Sequence, residues 1–203
     1  MKLKQLADKT LNFGVNRVIE IIGVTILAMS ILLLASLITF SPDDPNFIFP
    51  DNIKIKNILG FRGSFTADIF FQSIGVISLL IPFSLIISSI NIILNKKIFS
   101  IIGSIFYITL FSLLGSFFFS FFYPTAFNLY INGNGGFVGK YLETTFLHTI
   151  ITINTQISYY ILALSILILF LISIQFKINF FYRFIKKLFK DLISNKKKNY
   201  TNV

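Results

Sequence analysis

The sequence predicts an all-α integral membrane protein. Its expected form is a four-transmembrane-helix bundle with a short outer interfacial helix and a basic amphipathic C-terminal helix. Three observations predict this. The 203 residues are 55% hydrophobic, with a mean hydropathy of +0.80, more apolar surface than a soluble domain of this length can hide. Four apolar stretches, each near or above the ~20 residues that a bilayer requires, are separated by polar turns. The basic residues are uneven: 14 of the 18 lie in the N-terminal segment, the Lys96-Lys97 turn and the C-terminal tail.

The first span is read over 18–40, after a basic N-terminus, 1–17. Its length and its ending, Thr39-Phe40-Ser41-Pro42, favour an uncleaved signal anchor over a signal peptide, whose apolar core is normally ~7–15 residues and ends at small residues. Pro42 and Pro45 cannot continue a helix, and Asp43 and Asp44 cannot sit in lipid, so the span stops in a polar turn at a water interface. The loop that follows is of mixed charge, with Gly60 and Gly63 near its end.

The second span is read over 67–94. It is longer than a bilayer needs, which predicts tilt or a kink at Pro82. Lys96 and Lys97 make a tight basic turn before the third span, 98–122. A second long loop then carries the glycines from Gly133 to Gly139. Residues 140–152 are too polar for a span and are read as a short interfacial helix. The fourth span is read over 157–176.

In the tail, 177–203, Phe181, Phe184, Ile185, Leu188 and Leu192 share one helical face, flanked by Arg183, Lys186, Lys187 and Lys190. This pattern predicts a basic interfacial helix facing anionic membrane lipid. The distribution of basic residues predicts both termini in the cytoplasm and the Ser41–Pro45 turn outside.

Few residues invite chemistry. The run from Gly133 to Lys140 is not a P-loop: Asn134 stands where the first glycine is needed and Tyr141 where Ser or Thr is needed. Val138 likewise breaks a dinucleotide fingerprint. The expected role is a tight turn opening a short helix. His148 is the sole histidine and cysteine is absent, so no catalytic, metal or cofactor site is expected. Asp68 reads as an N-terminal acid complementing a helix dipole, with a proton relay as the alternative. Ser112, Ser116 and Ser120, with Gly115, and Ser84 and Ser88 form small-residue stripes, suited to packing within the bundle or between subunits.

Three of these features, in register, resemble the N-terminal four-span membrane domain of the FtsK/SpoIIIE DNA translocases. Ser41, Pro42, Asp44 and Pro45 match the turn that ends the family's first span. Gly60, Gly63, Ala67 and Asp68 match the segment leading into the second, with Ser64 where Ala is common. Gly135, Gly136 and Gly139 match the outer glycines before a short helix. The resemblance implies a membrane anchor and assembly domain at the division septum of the bacterial inner membrane. It implies contacts with other division proteins and self-association as a hexamer. It also implies a linker to an ATP- and Mg-dependent motor that pumps DNA in chromosome partition. No Walker motif precedes Val203, so ATPase activity and DNA contact are expected of a motor outside this chain, which is then a fragment or the product of a split gene. The competing readings are a small transporter or channel subunit, and a division scaffold without a motor.

Overall fold

The computed structural model describes residues 2–44, 54–126 and 132–175. Pro45 and the tail residues Phe181, Phe184, Ile185, Lys186, Lys187 and Leu188 lie outside the described residues. The described chain is helical, in the order α1 (Lys2–Ile38), α2 (Gly60–Ile74), a 3-10 segment (Gly75–Leu79), α3 (Leu80–Asn95), α4 (Ser100–Phe122), α5 (Gly136–Glu143), α6 (Phe146–Ile153) and α7 (Thr155–Ser173). Among the described residues, four stretches are long and apolar enough to cross a membrane: Thr10–Ile38, Gly60–Asn95, Ser100–Phe122 and Thr155–Ser173. The all-α four-span architecture expected from the sequence is what the chain forms. The basic N-terminal segment is not separate from the first span, because α1 runs without a break from Lys2.

α1 packs on α3 and α2, α4 pairs with α7, and α3 joins the two pairs; among the described residues α1 touches neither α4 nor α7. The bundle is therefore open along one side of α1. At one end, Lys96 closes α3 in a left-handed conformation (φ 55°) and its ammonium pairs with Glu20 of α1. Gly23 faces Ile92 and Ile93 just above that pair. The core of the second pair gathers Ile77, Ile108, Phe111, Phe118 and Ile166.

The second apolar stretch differs most from expectation. It does not run as one unbroken helix over 67–94, and its break is not at Pro82. Pro82 sits in the first turn of α3, where a missing N–H costs little. The break falls at Gly75, whose φ of +72° is a left-handed conformation that a side chain resists. A Cβ there would also collide with the Asn134 carbonyl and Gly135. The chain then tightens into the 3-10 turn before α3 begins.

The break turns α2 across the bundle. In an antiparallel hairpin Ala67 and Phe71 would meet residues ahead of Ser36. Instead Ser36 bonds to Gly63, Ala67 and Phe71 cluster with Leu37, and the Phe71 ring lies 4.9 Å from that of Phe40. At its other end, Ile74 meets Ser116 of α4. Ser36 and Ser116 each lie 16 residues beyond the Glu20 and Ser100 end of their helices, roughly 24 Å at 1.5 Å per residue. α2 starts and finishes near that level, so it lies across the ends of α1 and α4 rather than continuing the line of α3. The small-residue stripes are also placed. Ser84, Ser88, Ser112, Ser116 and Ser120 are all buried within one chain, with the Ser84 hydroxyl 2.8 Å from that of Ser173. Packing within the bundle accounts for them.

Two glycines give opposite expectations. Gly75→Ala forces a left-handed alanine into an occupied space and is expected to cost roughly 3 kcal/mol. Gly103, in α4, has nothing within contact range of an added Cβ, so Gly103→Ala is expected to stabilise by up to ~1 kcal/mol. Thermal unfolding of the purified protein in detergent should lower the midpoint for the first and hold or raise it for the second.

Candidate functional site

Most of the residues singled out in the sequence meet at one end of the bundle, in two locks at the two ends of α2. The first begins where α1 stops. Thr39 turns its hydroxyl back onto the Ala35 carbonyl at 2.7 Å, and the helix has ended at Ile38, ahead of Pro42. Asp44 follows in a turn closed by its own N–H on the Ser41 carbonyl, 3.1 Å. Only 1% of Asp44 is exposed. Its carboxylate accepts the backbone N–H groups of Lys56 at 2.7 Å and Asn57 at 2.9 Å. A buried carboxylate needs such donors, and the returning strand of loop supplies them.

Asn57 carries the lock across. Its Nδ2 donates to the Ser36 carbonyl at 2.9 Å, one of the α1 C-terminal acceptors that no helical N–H reaches. Its Oδ1 accepts the Leu59 N–H at 3.1 Å. The Ser36 hydroxyl donates to the Gly63 carbonyl at 2.5 Å. Gly63 must be glycine here because a Cβ would run into the Asn57 amide and Leu59. Gly60 opens α2, and Ala67 is fully buried against α1. On the outside, Lys56 pairs with Asp43 at 2.7 Å. Hydrogen bonding to Asp43, then its charge, raises the Lys56 pKa above its ordinary value. A raised lysine contributes below its ordinary pKa and loses that contribution as pH rises past it, so this pair is constant through neutral pH.

The second lock fills the break at Gly75. The glycine loop reaches down to it: the Val76 N–H donates to the Asn134 carbonyl at 2.9 Å, and Asn134 is 0% exposed. The Asn134 Nδ2 donates to the Tyr123 carbonyl. The Ser116 hydroxyl donates to the Ile74 carbonyl at 2.8 Å. Gly135 and Gly139 lie against the Ser116 carbonyl and Ser120 with no room for a side chain, and Gly136 begins α5. Asn132 bonds to Gln72 through both its backbone and its side chain, at 3.2 Å and 3.3 Å. The glycine run is thus a turn opening a short helix, as read from the sequence. Its helical sequel is two short helices rather than one.

Asp68 lies two turns into α2, outside the helix's first turn, so dipole complementation does not account for it. Gln72 donates to its Oδ1 at 3.5 Å. His148 is exposed, its ring 5.4 Å from Phe121. Among the described residues no three His, Cys, Asp or Glu side chains gather as a metal site would require. What the cap offers is a rigid, hydrogen-bonded surface. Sequence reasoning missed Ser36, Asn57, Gly75 and Asn134. A lone glycine in an apolar run was a signal for Gly75; nothing local marked Ser36.

The model of a protein family, the 4TM region of DNA translocase FtsK/SpoIIIE, matches residues 15–186. No curated protein matches, and no solved structure matches.

Two substitutions in the first lock are expected to move stability in opposite directions. Asn57→Ala strips a partner from the buried Ser36 carbonyl and should cost roughly 1–3 kcal/mol. The Ser64 hydroxyl is buried with no hydrogen-bond partner, so Ser64→Ala should stabilise by up to ~1 kcal/mol. Denaturation in detergent checks both signs.

Proposed function

The chain belongs to the FtsK/SpoIIIE 4TM family, and on that premise we propose that it is the anchor and assembly domain of a septal DNA translocase acting in cell division and chromosome segregation. It is a membrane domain of that translocase family, distinct from the motor. The observation that carries the finer reading is the family match over residues 15–186, joined to a cap that ties α1, α2, the 3-10 segment, α4 and α5 into one unit. A motor that pulls DNA loads its anchor, and load calls for spans that cannot slide past one another. Buried hydrogen bonds at the cap and the Glu20–Lys96 pair at the other end fix the sliding direction of α1 against α3.

In this reading both termini are cytoplasmic, the cap faces away from the cytoplasm, and the membrane is the bacterial inner membrane. The cap is the surface for other division proteins. The open side of α1 suits self-association, in a hexamer by analogy with the motor it would carry. ATP, Mg and DNA are partners of the motor. The tail with Phe184, Leu188, Lys186 and Lys187 holds the root of the linker to anionic lipid. A transporter would place a broken helix midway through the membrane. The break at Gly75 is instead at the level of the cap and filled by Asn134, which supports the anchor reading.

Two measurements test this. Tyr141, 62% exposed in α5, replaced by Cys should react with a membrane-impermeant thiol reagent in intact cells, and Asn195→Cys only after permeabilisation. The reverse pattern contradicts the topology. A fluorescent fusion of the chain should gather at the septum and lose that position with Gly63→Leu. Uniform membrane fluorescence in the unsubstituted protein would contradict the septal role.

A further inference from the structure

We propose that the cleft beneath α2 is a binding site for one anionic phospholipid, its phosphate held by Arg62 and an acyl chain laid along α1. The cleft encloses about 700 Å³ and is lined by α1 from Thr25 to Ser36, by Arg62, Thr66 and Phe70 of α2, and by Leu85 of α3. It exists because α2 crosses the bundle. α1 and α3 touch near Gly23 and Ile93, α1 and α2 touch near Ser36 and Gly63, and the space between these contacts is roofed by α2 and left open to the lipid. Ser30 and Ser36 are buried, while Met29 and Leu32 stand exposed.

The geometry matches a lipid in polarity and in depth. From Thr25 to Ser36 the apolar wall runs roughly 16 Å at 1.5 Å per residue, from the cap level into the hydrocarbon. The one charged side chain on its lining, Arg62, sits at the cap end beside Gly63, where headgroups lie. Arg62 is exposed, and among the described residues it has no ion-pair partner. A guanidinium binds phosphate through two parallel N–H donors, and near a bilayer that anion is at hand. A cation at the mouth and a greasy floor behind it fit a phospholipid better than they fit an apolar helix, which would leave the guanidinium unmatched.

The test uses the full chain purified in mild detergent and native mass spectrometry with phosphatidylglycerol or phosphatidylcholine of the same acyl chains. One phosphatidylglycerol per chain should be retained in preference to phosphatidylcholine. Arg62→Gln should weaken that retention roughly tenfold, the worth of a charge-assisted hydrogen bond, and Arg62→Lys should weaken it less. Met29→Trp, which fills the cleft and leaves the charge, should weaken both lipids. Circular dichroism confirms that each variant keeps its helicity. Equal retention of phosphatidylglycerol by the protein and Arg62→Gln would reduce the site to ordinary lipid contact and overturn the proposal. A dimer that Met29→Trp splits without altering lipid retention would assign the cleft to a second copy and overturn it too.

Discussion

Val76 gives its backbone N–H to the Asn134 carbonyl at 2.9 Å, and the rest of the architecture depends on that arrangement. A helix can break inside a membrane protein only where something else satisfies the freed backbone groups. At Gly75 the loop from the third span does so from one side, and the Ser116 hydroxyl does so for the Ile74 carbonyl from the other. Without these partners, continuing as a straight helix would be the cheaper course for an apolar stretch of 36 residues.

With the break secured, α2 is free to turn, and its N-terminal end reaches the place where α1 stops. There Asp44 and Asn57 gather the end of the first span, the returning loop and Gly63 into one hydrogen-bonded corner. The two locks share α2 as a crossbar. They use small residues for the same reason: backbones must come close enough for carbonyls and amides to meet, and a Cβ on Gly63, Gly135 or Gly139 would hold them apart. At the opposite end, the Glu20–Lys96 pair and a bond from the Gln175 side chain to the Ser100 carbonyl link the helices among the described residues.

The fold class was legible because lipid imposes length and apolarity on every span, and those are local properties. Turn chemistry was equally local, which is why Ser41, Pro42, Asp44, Gly60 and Gly63 could be picked out without coordinates. The path of the second stretch was not legible. Ala67 and Phe71 are as apolar in a crossbar against Leu37 as they would be inside a span, so composition cannot tell the two apart. Pro82 attracted the expected kink because proline breaks helices in their interiors, yet it stands at the start of α3. Asn134 looked like one more polar loop residue. Only its burial, and the glycine it meets from 59 positions away, give it its place. The family match over residues 15–186 bears out the resemblance to the FtsK/SpoIIIE membrane domain that those sequence features suggested.

The account rests on α2 crossing the bundle, and a single distance tests it. Phe61 and Leu94 are both exposed and accept spin labels without disturbing either lock. A continuous helix would separate them by roughly 50 Å at 1.5 Å per residue. With α2 turned across the bundle at the level of Ser36, the separation falls to about 35 Å on the same helical geometry. Double electron–electron resonance on Phe61→Cys with Leu94→Cys, in detergent or bilayer nanodiscs, should give one distribution centred near the shorter value. A distribution centred near the longer one would mean a straight second span and would contradict the account.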